Sequence, residues 1–98
     1  MKNKISIIIP ALNEEKNIEP LTKSISKNLN NFDFEIIFVD DNSDDNSKKI
    51  LLKLKKLKFF NTIFRNKMRD LTQSCFDGIK KAKYQNILIM DADLQHDP

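Results

Sequence analysis

Short apolar runs alternate with helical patterns along this chain, and that alternation restricts the fold more than any other feature. The runs are Ile5 to Ile9, Phe34 to Val39, Phe59 to Phe64 and Asn86 to Met90. Apolar residues at three- and four-residue spacing follow each of the first three runs, which is the period of one helix face. A β-α-β-α-β-α-β order predicts an α/β fold with a parallel sheet, right-handed crossovers and helices on both faces.

The helical segments carry recognisable start signals. Asn17 is the expected cap of the first helix, with Pro20 in its first turn, where proline is tolerated. Asp70 and Gln73 have the spacing of a capping box before the third helix. Three stripes are predicted to face the sheet: Ile18, Leu21, Ile25 and Leu29; Ile50, Leu51, Leu54 and Leu57; and Cys75, Phe76, Ile79 and Ala82.

Composition restricts the chain to one small globular domain. It has 98 residues, of which 40% are hydrophobic and 32% charged, and no run approaches the roughly 20 apolar residues that a membrane span needs. The first apolar run ends at Pro10, too early for a signal peptide, which predicts a cytoplasmic protein. Cys75 is the only cysteine, which excludes an intramolecular disulfide and indicates a small core residue.

The acidic residues are concentrated where the predicted strands end. Ligands bind parallel α/β sheets beyond the carboxyl ends of the strands, so one rim is expected to gather these acids. Nine of the 14 acidic residues lie in the three segments that follow strands one, two and four: Glu14, Glu15, Asp40, Asp41, Asp44, Asp45, Asp91, Asp93 and Asp97.

Asp91 and Asp93 form an Asp-x-Asp pair after the fourth apolar run. In an extended segment, side chains two residues apart point the same way, so both carboxylates can reach one cation, with the amide oxygen of Gln95 as a third ligand. Oxygen ligands favour Mg²⁺ or Mn²⁺, whose remaining ligands usually include substrate phosphates. The pair therefore predicts a metal site for a nucleotide diphosphate compound, and His96 is expected at the rim rather than as a ligand.

Other rim residues have weaker assignments. Asp40 or Asp41 is expected to hydrogen-bond a ribose or a base, whereas Asp44, Asp45 and Ser47 are expected to cap the second helix. The only glycine, Gly78, lies inside the third helix, so no P-loop or Rossmann glycine motif is present. Its position predicts close packing of that helix against the sheet, because glycine costs about 1 kcal/mol relative to alanine there.

The basic residues allow two interpretations. Arg65, Lys67 and Arg69 precede the third helix and either add positive charge near phosphates or lie solvated in a loop. The lysines of the second helix indicate a solvated face, with attraction to an anionic membrane surface as the alternative. No nucleic-acid partner is expected, because no aromatic residues interleave the basic run: Lys48, Lys49, Lys53, Lys55, Lys56 and Lys58.

Three segments together carry a family resemblance. They are the runs from Ser6 to Glu15, from Glu35 to Asp45 and from Met90 to Pro98, the last reading Met-Asp-Ala-Asp-Leu-Gln-His-Asp-Pro. In order and spacing they resemble family 2 glycosyltransferases, specifically the dolichyl- or polyprenyl-phosphate mannosyltransferase-like branch. The resemblance implies a nucleotide-diphospho-sugar transferase (A-type glycosyltransferase) fold, of which residues 1–98 would be a truncated, N-terminal nucleotide-sugar-binding part.

The resemblance also implies a function. It implies inverting transfer of a mannose- or glucose-like sugar from a GDP- or UDP-sugar to a polyprenyl or dolichyl phosphate at the cytosolic face of a membrane. The residues assigned to substrate binding are Pro10, Leu12, Glu14, Asp40, Asp41, Arg69 and Asp91, and those assigned to the metal are Asp91, Asp93 and Gln95, with Asp93 also assigned to catalysis.

The chain departs from the family pattern at two places. Leu12 stands where relatives often have an aromatic residue, and the run from Arg69 to Thr72 lacks the glycine common before the third helix. Family members continue well beyond the third segment with the acceptor site, so the chain alone is expected not to turn over. Because a phosphate acceptor is already ionised, catalysis would depend on positioning and on charge stabilisation by the metal.

Two other functions remain open at this point. An aspartate-nucleophile phosphatase also has Asp-x-Asp after a strand, although that function leaves the first two acidic segments unexplained. A non-catalytic nucleotide- or metal-binding fragment, or a pseudoenzyme, is the second alternative. Labelling of Asp91 by a phosphate mimic would favour the phosphatase, whereas nucleotide-dependent binding would not.

Overall fold

The computed structural model describes residues 3–93 and contains seven elements in the predicted order. All four strands are parallel and form one sheet with the order β3-β2-β1-β4. The strand order reverses beside β1, because the chain runs outward through β2 and β3 and then returns to β4. The elements are β1 (Lys4–Ala11), α1 (Ile18–Asn28), β2 (Asp33–Asp40), α2 (Ser47–Leu54), β3 (Phe60–Phe64), α3 (Leu71–Lys81) and β4 (Ile87–Ile89).

The two faces of the sheet are covered by different helices, as predicted. Ile7 and Phe38 belong to the larger core cluster, which includes residues of α1 and α2. Ile8 and Val39 belong to a smaller cluster that packs against Ile79 of α3. Because side chains alternate along a strand, adjacent residues of β1 and β2 face opposite helix layers, and both central strands are apolar on both faces.

Helix α3 approaches the sheet more closely than its apolar stripe predicts. An added Cβ on Gly78 would lie 2.3 Å from Cγ2 of Ile8, so only glycine fits there without a shift. Ser74, one turn earlier, is also buried, whereas Phe76 is 54% exposed and Cys75 is only half-buried. The prediction that Phe76 and Cys75 face the core is therefore wrong, because the small residues set the contact and turn Phe76 away from it.

Helices α1 and α3 begin where the sequence predicts, but their capping hydrogen bonds differ in part from the predicted ones. The Asp70 carboxylate accepts a hydrogen bond from the Gln73 N–H at 3.1 Å and caps α3. The Gln73 side chain does not complete the box, because its amide donates to Asp77 at 2.8 Å. Asn17 precedes α1 but makes no side-chain cap; its amide donates to Glu14 at 2.8 Å.

Strand β4 is shorter than predicted and lies at an edge of the sheet. It pairs with β1 only from Ile87 to Ile89, and all three side chains are exposed. The segment that precedes β4 is fixed to the sheet by buried Glu35. Its Oε2 accepts a hydrogen bond from the Ser6 hydroxyl at 2.6 Å and one from the Lys83 N–H at 2.7 Å. No helix within residues 3–93 is long and apolar enough to cross a bilayer.

Candidate active site

The loops after β1 and β2 form one hydrogen-bonded unit at the carboxyl rim of the sheet. Their strands are in register up to Ala11 opposite Asp40. The Asn13 N–H donates to the Ser43 hydroxyl at 2.9 Å, and the Asp44 N–H donates to the Asn13 side-chain oxygen at 2.9 Å. Polar side chains of one loop therefore satisfy backbone groups of the other, which fixes the relative position of the two loops.

Asp45 and Ser47 also take part in the contacts between the two loops, and they lie at the start of α2. The Asp45 carboxylate accepts from the Ser47 N–H at 2.8 Å and from the Glu15 N–H at 3.4 Å. Burial raises the pKa of Asp45, but hydrogen bonds from Ser47 and from the Glu15 N–H outweigh it and lower that pKa below its usual 3.8. The ionised form is thus favoured by folding, and this stabilisation is lost as pH falls through the lowered pKa.

Two asparagines turn the backbone at the rim. Asn13 and Asn42 are the residues with positive φ among those described, at 54° and 67°. Asparagine tolerates this left-handed conformation better than other side-chain-bearing residues. The carbonyl of Asn42 accepts from the Arg69 guanidinium at 3.3 and 3.4 Å, so the turn also anchors the segment before α3.

We expect Asn13→Ala to destabilise the fold by about 1–2 kcal/mol, since it adds left-handed strain and removes the acceptor for the Asp44 N–H. Urea unfolding followed by circular dichroism would measure the change. Asn13→Gly is the matched control, because glycine relieves the strain but still lacks the acceptor. If the two variants are equally stable, the positive φ contributes nothing and this prediction fails.

A small cavity opens beside the first two loops. It measures about 220 Å³ and is lined by Pro10, Ala11, Leu12, Asp41 and Leu71. Three of the predicted substrate-binding residues, Pro10, Leu12 and Asp41, therefore meet in one place. Asp41 is the polar side chain of this lining, and it is 6% exposed. An apolar cavity with one carboxylate suits a small group that presents an N–H or hydroxyl donor.

Asp40 and Asp41 are adjacent in sequence but occupy different environments. Asp40 is fully buried; its Oδ2 accepts from the Ser43 N–H at 3.1 Å, and its Oδ1 has no hydrogen-bond partner among the described residues. It does not line the cavity that contains Asp41. The geometry gives Asp40 a role in shaping the loop, and its assignment to substrate remains a prediction.

Glu14 and Arg69 also lie outside the cavity lining. Glu14 accepts from the Asn17 side chain and lines a separate pocket of about 260 Å³ that includes Asp45. Arg69 is half-exposed and forms an ion pair with Asp44 at 3.3 Å. Both residues lie at the same rim as the cavity, and their predicted contacts with substrate remain predictions.

The Asp-x-Asp pair lies beyond the end of β4. Met90 still donates its N–H to Ile8 at 3.0 Å, Asp91 is exposed, Asp93 is partly buried, and the chain bends at buried Ala92 between them. Residues 91–93 are therefore not part of a regular strand, and the convergence of the two carboxylates on one cation stays a prediction. Gln95, the third predicted ligand, and His96 lie outside the described residues.

The donor chemistry of the pair fits a hard cation. Among residues 3–93 there is no cluster of three or more His, Cys, Asp or Glu side chains that could hold a metal. Two carboxylates are nevertheless what Mg²⁺ commonly takes from a protein at a nucleotide site, with water and phosphate oxygens completing the shell. Asp91 and Asp93 are thus a fitting partial ligand set.

The sequence did not indicate the environment of two residues at the site. Leu71, the first residue of α3, forms a wall of the cavity. Arg65 is 8% exposed and ion-paired with Asp41, so it does not lie solvated in a loop, and a role near phosphates stays a prediction. Its place one residue after the third strand was the available signal, because such positions lie at the rim.

Comparison with known proteins establishes the family. The model of glycosyl transferase family 2 matches residues 6–98, nearly the entire chain. The chain belongs to glycosyl transferase family 2. A dolichol-phosphate mannosyltransferase of Pyrococcus furiosus is 37% identical over 95 residues, covering 97% of this chain and 27% of its own length. One from Saccharomyces cerevisiae is 37% identical over 102 residues, covering 100% of this chain and 38% of its own length.

A solved structure supports the fold of this family 2 chain. Staphylococcus aureus TarS 1–349, in complex with UDP, superposes with a TM-score of 0.79 at 27% identity, over 95% of this chain and 28% of that protein. The predicted A-type glycosyltransferase fold is confirmed for the part that the chain covers. The chain spans about a quarter to two-fifths of the length of the curated relatives named above.

Proposed function

We propose that residues 1–98 are the nucleotide-sugar-binding part of an inverting glycosyltransferase. The donor is a GDP- or UDP-sugar with a mannose- or glucose-like group, and the acceptor is a polyprenyl or dolichyl phosphate. The observation that carries this proposal is the cavity of Pro10, Leu12 and Asp41 at the rim that also bears Asp91. Similarity to two dolichol-phosphate mannosyltransferases, and to a UDP-bound neighbour, supports the donor class.

Different residues of the rim would bind different parts of the nucleotide-sugar donor. The cavity would take the base and ribose, with Asp41 accepting a hydrogen bond, and Glu14, Asp40 and Arg69 would act around it. Asp91 and Asp93, with Gln95, would hold Mg²⁺ or Mn²⁺, which when bound offsets the charge of the diphosphate leaving group. The sugar would lie beyond the diphosphate, on the side of β4.

We propose that the acceptor binds to a part of the whole protein outside residues 1–98. One relative, an undecaprenyl-phosphate 4-deoxy-4-formamido-L-arabinose transferase of Proteus mirabilis, is 31% identical over 100 residues, covering 98% of this chain and 31% of its own length. Its name, like those of the mannosyltransferases, supports a polyprenyl phosphate acceptor. We propose that the whole protein works at the cytosolic membrane face and that residues 1–98 alone transfer no sugar.

Titration calorimetry with GDP, UDP, GDP-mannose and UDP-glucose, with and without Mn²⁺, tests the donor site. We expect one base to bind more tightly, and Mn²⁺ to increase the affinity for the diphosphate. Asp93→Ala should reduce affinity in Mn²⁺ by about tenfold, since one ionic ligand is worth about 1.4 kcal/mol or more. In the absence of Mn²⁺, Asp93→Ala and the wild type should bind the nucleotides with equal affinity.

Asp33→Ala is the matched control, because Asp33 is the first residue of β2 and lies at the amino ends of the strands, opposite the carboxyl rim. It removes a carboxylate but should leave nucleotide affinity unchanged. Circular dichroism establishes that each protein is folded. A folded wild-type chain that binds none of the four compounds contradicts the proposed function.

A further inference from the structure

We propose that Arg65 is a positioning residue that holds the Asp41 carboxylate in place for the nucleoside. The inference rests on the proposed function, since it concerns how the same cavity binds its ligand. Arg65 follows β3 directly, and its N–H donates to the Asp40 carbonyl at 2.9 Å, continuing the ladder of β2 and β3 by one bond. This backbone bond places the guanidinium beside the carboxyl end of β2.

Both oxygens of Asp41 accept hydrogen bonds from the segment between β3 and α3. Oδ1 accepts from Nη1 of Arg65, and Oδ2 accepts from the Asp70 N–H at 2.8 Å. Asp41 and Arg65 are both more than nine-tenths buried. A carboxylate oxygen can accept two hydrogen bonds, so each oxygen retains capacity for an N–H or hydroxyl of the ligand. The positive charge of Arg65 compensates a carboxylate that would otherwise be buried alone.

Arg65 is itself held at several points. Its Nε lies 3.2 Å from Oδ2 of Asp77, and its Nη1 donates to the Met68 carbonyl at 3.3 Å. A guanidinium presents several donors in a fixed plane, so these bonds restrict its orientation as well as its location. A lysine would supply the charge but only one flexible point of attachment.

Through these bonds one arginine connects two walls of the cavity. Asp41 is one wall, and Leu71, directly after Asp70, is another. Asp77 lies further along α3 and binds the same guanidinium. Loss of Arg65 would leave the Asp41 carboxylate held only by the Asp70 N–H and would loosen the start of α3, so both the acceptor geometry and the shape of the cavity would change. The part of the rim that carries Asp91 contributes none of these contacts, so metal and diphosphate binding should be spared.

The test compares wild type, Arg65→Met and Arg65→Lys by calorimetry. Ligands are GMP and UMP as nucleoside probes and Mn²⁺-pyrophosphate as a probe of the metal site. We expect Arg65→Met to weaken the preferred mononucleotide about tenfold and Arg65→Lys to weaken it less, with pyrophosphate affinity within twofold of wild type. Lys80→Met, which removes an exposed positive charge from α3, should change neither.

A mutant cycle establishes whether Arg65 acts through Asp41. In an Asp41→Asn background, Arg65→Met should cause little further loss, because the acceptor is already altered. Hydrogen exchange gives a second readout: the Asp70 amide, which donates to Asp41, should exchange faster in Arg65→Met. This local change is expected even if the variant is less stable overall, and Arg65→Lys serves if the methionine variant does not fold.

The outcomes separate the inference from the proposed function. If wild type binds nucleotides and folded Arg65 variants bind equally well, the positioning role is overturned and the proposed function stands. An equal loss for pyrophosphate, or a full further loss in the Asp41→Asn background, also overturns it. If wild type binds neither mononucleotides nor diphosphates, both proposals fail together.

Discussion

Glu35→Ala should lower the free energy of unfolding by about 3 kcal/mol, a large part of the stability of a small domain. Glu35 is 7% exposed and accepts the Ser6 hydroxyl and the Lys83 N–H on one oxygen. Truncation leaves the buried Ser6 hydroxyl and the partly buried Lys83 N–H without this acceptor, and an unsatisfied buried donor costs about 1–3 kcal/mol. Urea unfolding monitored by circular dichroism would measure the loss.

Glu35→Gln is the informative partner of that variant. Its side-chain oxygen can still accept both hydrogen bonds, without the strengthening that a charged acceptor gives, so a loss of only about 1 kcal/mol is expected. Glu19→Ala, a change in the first turn of α1, should stay within about 0.5 kcal/mol. If Glu35→Ala is as stable as Glu35→Gln, the two hydrogen bonds do not carry the stabilisation.

Gly78→Ala should destabilise the fold by about 2 kcal/mol, although alanine is the better helix former. The new Cβ would lie 2.3 Å from Cγ2 of Ile8 and 3.1 Å from Cγ2 of Val39, and both are β-branched residues of central strands. Overpacking of this kind costs about 1–3 kcal/mol or more, which exceeds the roughly 1 kcal/mol gained in helix propensity. Thermal and urea unfolding would give the net effect.

A double variant tests the stated cause. Ile8→Ala removes the side chain that the new Cβ would meet, so Gly78→Ala should cost much less in that background than in wild type. Thr72→Ala, an exposed change in the same helix, controls for propensity and should be neutral or slightly stabilising. Additive costs for Gly78→Ala and Ile8→Ala would mean that the clash is relieved elsewhere.

The fold could be predicted because its signals are local and repeated. The apolar runs of β1 and β2 and the stripe of α1 are long enough to reveal their period, and the βα alternation leaves few topologies. Helix α3 is harder to predict because, beside Ile79 and Ala82 of the apolar stripe, the small residues Ser74 and Gly78 are buried against the sheet. A hydrophobic stripe predicts burial from polarity, whereas the distance between this helix and the sheet depends on the size of the side chains, so the stripe places Phe76 on the wrong face.

The candidate site was predictable in composition but not in geometry. Strand ends indicated which acids meet at one rim, and the cavity brings together Pro10, Leu12 and Asp41. Asp40 and Asp41 are adjacent at a strand end, so their side chains face opposite layers. The sequence does not indicate which of the two layers faces the cavity, so it could not distinguish the two residues. It also could not pair Arg65 with Asp41, 24 positions earlier, since that contact depends on the register between β2 and β3.

The strand order has a consequence for the chain during synthesis. One edge of β1 can pair with β2 as soon as β2 is synthesised. The other edge cannot pair until β4 is synthesised, because the partner of Ile7 in β4 is Leu88, roughly 80 positions further along the chain. At translation rates of about 5–20 residues per second, that edge remains unpaired for roughly 4–16 s. Its isoleucine-rich backbone is then a template for pairing with other chains. Slower translation between β3 and β4, or a chaperone-poor host, should therefore lower soluble yield before any property of the finished fold is tested.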